Sequence, residues 1–131
     1  MSSQNWKSKT IEVLENDFWG EPNFNSYLGT TCHELRKKTI GEFEVEDLRI
    51  MIGQNIGLKF LLPLAIEKLK EDLFVSGNFY EGDLLQVVLN VKDTFWIDNS
   101  EIREELKKLI LGRDDDLKSN NIKYDNFLNT I

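Results

Sequence analysis

The sequence predicts an all-α protein, a single-domain compact bundle of about six helices, several of them short. Apolar residues recur at helical spacing along the longest patterned stretches of the chain. With 131 residues, no internal repeat and no linker rich in Pro, Gly and Ser, the chain fits one domain over residues 1–131. A hydrophobic fraction of 40% with 30% charged residues is typical of a globular protein.

Two short helices are predicted in the first third of the chain. Thr10 to Asn16 has the pattern of a first helix, and Gly20 and Pro22 indicate a turn that aromatic side chains hold on the core. These aromatic residues are Phe18, Trp19 and Phe24. A second helix is expected from about Ser26, as N-cap, to Lys38. Its apolar face consists of Leu28, Cys32 and Leu35.

The central segment has the strongest helical pattern. One apolar face is formed by Leu48, Met51, Ile52 and Ile56. Gly57 follows this face and is suited to end the helix at the C′ position with a positive φ. The next helix has its apolar face at Leu58, Leu61, Leu62, Ala65, Ile66 and Leu69. Because apolar residues also lie on its other side, we expect it to be central, with Pro63 in its first turns or at a kink.

A short loop and a short helix are predicted next. Gly77 and Gly82 bracket the loop, and Asp83 is placed to cap the helix that follows. The apolar residues of that helix are Leu84, Leu85, Val88 and Leu89. A strand is the weaker alternative, because β-branched and aromatic residues favour strands. Its residues would be Val87, Val88, Val91 and Phe95.

The C-terminal third predicts one further long helix and a short packing element. Asp98 and Glu101 form a D-x-x-E capping pattern before an amphipathic stretch that Gly112 ends. A polar stretch from Arg113 to Asn121 then precedes the last apolar residues. These are Ile122, Tyr124, Phe127, Leu128 and Ile131.

The charge of the chain indicates a basic protein partner. The formal net charge is −7, and residues 42–90 hold nine acidic against four basic side chains. Such a protein has no general attraction to nucleic-acid phosphates or anionic membranes. No apolar run approaches the roughly 20 residues that a membrane span needs, and the N-terminus lacks an apolar signal region. We therefore expect a cytoplasmic protein that contacts neither nucleic acid nor membrane.

No pattern in the chain predicts catalysis, a cofactor or a metal site. Cys32 and His33 are the only thiol and the only imidazole, but neighbouring residues on a helix diverge by about 100°. A buried cysteine and a surface or interface histidine are therefore expected. A calcium loop starting at Asp114 would place Ser119 where glycine is needed, so Asp114, Asp115 and Asp116 predict a solvated acidic loop or an acidic patch facing a partner.

Three aromatic residues have two possible interpretations. Phe79, Tyr80 and Trp96 lie next to polar residues, as interface anchors often do. Filling of the helical core is the favoured interpretation, because large aromatic side chains are usually buried.

Three blocks of sequence carry a family resemblance. They are TTCHELRKK (residues 30–38), EDLRIMIGQNIGLKFLLPLAIEKL (residues 46–69) and GNFYEGDLL (residues 77–85). Their order and spacing resemble the immunity proteins of bacterial contact-dependent growth inhibition (CDI) systems. The resemblance covers roughly Pro22 to Leu89, and no pattern of the family is identified in residues 90–131.

The resemblance implies a function. Such an immunity protein binds the cognate toxin domain in the cytoplasm and neutralises it, and it is not an enzyme. The toxin is commonly a nuclease, with a ribonuclease as the favoured kind, and we expect a monomer in a 1:1 complex. Acidic and aromatic surface positions are the expected partner-binding residues, namely Glu71, Asp72, Tyr80, Glu81, Asp83, Asp114, Asp115 and Asp116.

Two other functions are considered. A small acidic helical adaptor or regulator that binds another basic protein has the same composition. An enzyme that uses carboxylates is a third possibility, but no cleft or metal site in the sequence selects a pair of them.

Overall fold

The computed structural model describes residues 8–16 and 27–128, which fold into helices without a strand, as the sequence predicted. The helices are α1 (Ile11–Glu15), α2 (Tyr27–Leu35), α3 (Val45–Gly53), α4 (Leu58–Glu71), α5 (Asp83–Leu89), α6 (Asp93–Asp98), α7 (Ser100–Ile110), α8 (Asp114–Ser119) and α9 (Asp125–Leu128). A 3-10 turn lies at Ile40–Glu42. These nine helices exceed the predicted six because four of them have six residues or fewer.

The first helix lies within the predicted stretch, and capping groups define both of its ends. The hydroxyl of Thr10 accepts a hydrogen bond from the Val13 N–H at 3.2 Å, and Asn16 ends the helix at φ 53°. The backbone N–H of Glu12 donates to the Arg36 carbonyl at 3.2 Å. Ile11 is fully buried, so α1 is fixed both by the core and by the segment after α2.

The second helix is shorter than predicted. It ends at Leu35, three residues before Lys38, and it buries Cys32 and Leu35. The predicted Ser26 cap, the aromatic turn at residues 18–24 and the side chain of Leu28 lie outside the described residues.

Helix α4 is central, as its two apolar faces predicted. It packs against α3, α5 and α7, while α3 also packs against α2 and α5. Its buried residues are Leu61, Leu62, Leu64, Ala65, Ile66 and Leu69. Burial of each large aliphatic side chain contributes roughly 1.5–3 kcal/mol of transfer free energy. Pro63 lies in the second turn, where it has no N–H to donate to the carbonyl of Lys59.

The connection between α3 and α4 differs from the prediction. Helix α3 ends at Gly53, so Ile56 lies outside the helix, and Asn55 takes a positive φ of 60°. Gly57 has the expected positive φ of 66°, but it is the N-cap of α4 and not the end of α3. A Cβ atom at Gly57 would lie 2.8 Å from Cδ1 of Ile11, so this turn also needs glycine for space.

Three predictions in the second half are wrong. Asp98 does not cap the long helix, because it is the last residue of α6, and Asn99 precedes α7. The strand alternative fails since Val87 and Val88 lie in α5 and Phe95 lies in α6. The polar stretch after Arg113 is the helix α8 rather than a loop. Short helices of this kind depend on tertiary packing more than on local pattern.

The end of the described chain closes the core around Trp96. This side chain is fully buried and makes edge-to-face contacts with Phe95 and Phe127, with ring centroids 5.4 and 5.3 Å apart. Trp96 is therefore a core residue, as the favoured interpretation predicted. Among the described residues, no helix is both long and apolar enough to cross a membrane.

Gly57→Ala tests the close contact between α1 and the start of α4. We expect a loss of about 3 kcal/mol in the free energy of unfolding, because a left-handed backbone and a crowded Cβ act together. Gly112→Ala is the matched control, since Gly112 has φ 79° but a Cβ atom added there would meet no packed neighbour within 4 Å; its loss should be about 1 kcal/mol. Urea unfolding measures both, and equal losses would contradict the contact with Ile11.

Candidate functional site

The segment Gly77–Gly82, which we call the aromatic loop, presents two aromatic side chains to solvent. Phe79 is 70% exposed and Tyr80 is 49% exposed. The favoured sequence interpretation, that these rings fill the core, is therefore wrong for Phe79 and Tyr80. Adjacent large aromatic residues on a surface are candidates for an interface because they add contact area with few rotatable bonds.

A buried carboxylate holds this loop in shape. Oδ1 of Asp83 accepts a hydrogen bond from the Gly77 N–H at 2.6 Å, and Oδ2 accepts one from the Phe79 N–H at 3.0 Å. The Tyr80 N–H lies farther from Oδ2, at 3.5 Å. Asp83 is only 1% exposed, and it is the first residue of α5 rather than its N-cap, which is Gly82. Its side chain therefore turns back to the loop, where charge-assisted hydrogen bonds fix the backbone.

An arginine on α3 joins the same network. Nε and Nη2 of Arg49 donate to the two carboxylate oxygens of Glu46 at 2.7 and 2.5 Å, and Nε lies 3.8 Å from Oδ2 of Asp83. Glu46 also accepts a hydrogen bond from the Asn78 N–H at 2.9 Å. The guanidinium carbon of Arg49 lies 4.0 Å from the ring centroid of Phe79. This cation–π contact orients the exposed ring. We call Glu46, Arg49 and Asp83 the loop clamp.

The charges of the loop clamp are stabilised by their neighbours. The hydrogen bonds from Arg49, together with the weaker effect of the one from the Asn78 N–H, hold the pKa of Glu46 below its ordinary value although burial acts in the other direction. The hydrogen bonds to Glu46 raise the pKa of Arg49. Both groups are therefore charged at neutral pH, so the ion pair between Glu46 and Arg49 is intact there.

The loop clamp requires glycine at position 77. A Cβ atom at Gly77 would collide with Oε1 of Glu46 and would lie 3.2 Å from Oδ2 of Asp83. Glycine at position 77 therefore leaves room for both carboxylates beside the loop backbone.

The predicted partner-binding residues occupy neighbouring parts of the structure. Tyr80 and Glu81 lie on the aromatic loop, whereas Asp83 is buried beneath it. Glu71 and Asp72 are exposed at the end of α4, and Asp72 accepts a hydrogen bond from the Phe74 N–H at 3.1 Å. The remaining three residues, Asp114, Asp115 and Asp116, are exposed in the first turn of α8, where the helix dipole favours negative charge.

Phe74 links these parts. Its carbonyl accepts a hydrogen bond from the Gly82 N–H at 3.0 Å, which connects the end of α4 to the aromatic loop. Its ring centroid lies 5.5 Å from the guanidinium carbon of Arg113, and Nε of Arg113 donates to Asp116 at 2.9 Å. The exposed carboxylates around these contacts form what we call the acidic surface, namely Glu71, Asp72, Glu81, Asp114, Asp115 and Asp116.

Sequence reasoning missed the loop clamp. The spacing of Glu46 and Arg49 at i and i+3 indicates an ion pair on a helix. Nothing local connects that pair to Asn78, which is 32 residues away. The sequence pattern that could have indicated this clamp is the position of Asp83, which follows two glycines and two aromatic residues. A buried aspartate can accept hydrogen bonds from the loop that precedes it.

The cysteine and the histidine, the two residues considered for a nucleophilic pair, are both buried. Cys32 is buried, and burial raises the pKa of its thiol, which keeps it protonated. His33 is 2% exposed, so the expectation of a surface or interface histidine is wrong. Within residues 8–16 and 27–128, no group of three His, Cys, Asp or Glu side chains is arranged to hold a metal ion.

Comparison with known families identifies the chain. The family model described as CDI immunity proteins matches residues 13–106, which is more than half of the sequence. The chain belongs to the CDI immunity protein family. The match extends beyond the expected Pro22 to Leu89 at both ends and includes the aromatic loop and the loop clamp. Helix α8 and its three aspartates lie outside the matched residues of this CDI immunity family member.

No curated protein and no solved structure matches the chain significantly.

Glu46→Gln tests the charge of the loop clamp. A carboxylate whose pKa is lowered on folding contributes stability above its unfolded pKa, and this contribution is lost as the pH falls through the folded pKa. We therefore expect the difference in unfolding free energy between wild type and variant to be largest at neutral pH and to shrink as the pH falls from about 5 towards 3.

Glu105→Gln is the control for that experiment, because Glu105 forms an exposed ion pair with Lys70 at 3.8 Å. Such a pair contributes less than about 1 kcal/mol. Urea unfolding at several pH values compares the three proteins. A difference for Glu46→Gln that does not change with pH would show that the Glu46 charge contributes nothing.

Proposed function

We propose that this protein neutralises the cognate toxin domain of a CDI system by binding it directly in the cytoplasm. The observation that carries the proposal is the family match over residues 13–106. The toxin we propose is a basic nuclease, with a ribonuclease as the favoured kind. The immunity protein binds it as a monomer in a 1:1 complex.

Charge supports a nuclease as the partner. A nuclease must bind phosphates, so its active cleft carries positive potential. The net charge of −7 and the acidic surface provide the complementary sign. Complementary potentials accelerate encounter and disfavour other partners.

The proposed contact region combines the acidic surface with the aromatic loop. The carboxylates guide association, and the exposed aromatic side chains add apolar area that loses water on binding. Asp83 lies beneath this region and holds the loop in shape, because its buried carboxylate accepts a hydrogen bond from the loop backbone. Neutralisation then follows when the carboxylates occupy the positions that the phosphates of the substrate need.

Growth rescue tests the function. We expect the gene directly before this one to encode the toxin. Its toxin domain is expressed in bacterial cells with or without this protein, and we expect growth only in the presence of this protein. The toxin domain of an unrelated CDI system is the control, and it should remain toxic. Failure of rescue together with failure of the two purified proteins to bind would contradict the proposed function.

Charge reversal tests the acidic surface. Glu81→Lys combined with Asp115→Lys should lower the association rate constant with the toxin domain by about tenfold at low salt, with a smaller effect at high salt because ions screen these charges. Surface plasmon resonance measures the rate.

Glu34→Lys is the control for charge reversal. It is an exposed acidic residue near the C-terminal end of α2, where a lysine suits the helix dipole. It changes the net charge by the same amount per residue as each reversal on the acidic surface. An equal reduction per charge at Glu34 would show that net charge, and not the acidic surface, governs association.

A further inference from the structure

The geometry points to Phe79 as the apolar anchor of the interface, held ready by the loop clamp for insertion into an apolar pocket with a basic rim on the toxin. This inference rests on the proposed function and adds to it the residue that provides most of the affinity and the chemistry of the pocket that receives it.

The ring of Phe79 faces solvent. Phe79 is more exposed than any other aromatic side chain among the described residues, at 70%. A phenylalanine ring buries roughly 150–250 Å² when it is fully covered. The exposed part of the ring gains nothing from packing in the free protein, whereas covering it in a complex is favourable.

Contacts with the loop clamp hold both the backbone and the ring of Phe79. The N–H of Phe79 donates a hydrogen bond to Asp83, and the N–H of Asn78 donates one to Glu46. The ring of Phe79 lies over the guanidinium of Arg49. Backbone and ring are therefore fixed before the partner arrives. A side chain that is already ordered loses little conformational entropy on binding, and more of its contact free energy appears as affinity.

The exposed charges near the aromatic loop indicate the chemistry of the partner's pocket. Glu81 is exposed beside Tyr80 on the loop, and Asp72 is exposed at the end of α4, which Phe74 connects to the loop. The nearest cation, Arg49, is only 14% exposed and is engaged by Glu46. A partner surface therefore meets an apolar ring on a loop that also carries the exposed carboxylate of Glu81, so the fitting pocket is apolar in its centre with Lys or Arg at its rim.

Phe79 has an alternative role, which is to shield the loop clamp from water. The two roles differ in what they affect. A shield would stabilise the free protein and leave the affinity unchanged, whereas an anchor would affect chiefly the dissociation rate of the complex. Thermal unfolding and binding kinetics on the same variants separate them.

Phe79→Ala is the decisive variant. The complex with the toxin domain encoded by the preceding gene is purified from co-expressing cells, separated in denaturant, and the toxin domain is refolded and immobilised. We expect the dissociation constant to rise at least about 30-fold, mostly through faster dissociation, as truncation of a hot-spot residue does. The melting temperature of the free variant should change by no more than a few degrees.

Ile97→Ala is the matched control, because Ile97 is 58% exposed on α6 and is likewise a large apolar side chain. Its dissociation constant should stay within about twofold of wild type. Asp83→Asn tests the positioning role of the loop clamp: with Phe79 retained, we expect about tenfold weaker binding and faster amide exchange at Gly77 and Phe79. If Asp83→Asn does not fold, Phe79→Ala alone decides.

The outcomes are distinguishable. If wild type binds and Phe79→Ala binds with an unchanged dissociation rate, the anchor is wrong while the proposed function stands. If wild type fails to bind the toxin domain, the proposed function is wrong, and so is the inference that Phe79 is an anchor. A large fall in melting temperature with unchanged affinity would identify Phe79 as a shield and overturn the anchor.

Discussion

The buried carboxylate of Asp83 is the constraint on which the shape of the aromatic loop depends. A charged group that is 1% exposed is costly unless hydrogen bonds and opposite charge compensate it. Here the compensation comes from N–H groups of the aromatic loop and from Arg49 on α3. The need to satisfy one charge therefore fixes the loop relative to α3 and α5, and it leaves Phe79 facing solvent.

Part of this structure follows from the sequence alone. The apolar periodicity located α4 and its central position, the stretch from Thr10 to Asn16 contained α1, and Gly112 followed α7 with a positive φ. These features are local, since spacing, capping groups and glycine act within a few residues. Asp98 shows where local signals mislead, because its capping pattern is real as a sequence but the residue belongs to α6.

The candidate site could be predicted only in part. Glycines on either side of the aromatic loop identified the loop, and the acidic residues around it were visible as charge. The exposure of Phe79 could not be predicted, because the general tendency of aromatic residues to be buried favoured a place in the core. The reason is tertiary: Glu46 lies 32 residues from the backbone group that it binds, and no periodicity encodes such a contact.

The chain belongs to the CDI immunity protein family, and the aromatic loop that we propose as its recognition site is held by residues of α3 and α5. The most direct test places a photoreactive benzoylphenylalanine at position 79 and irradiates the complex with the toxin domain. The account predicts efficient cross-linking to the toxin from position 79 and none from the same group at position 97. Cross-linking from position 97 with none from position 79 would contradict it.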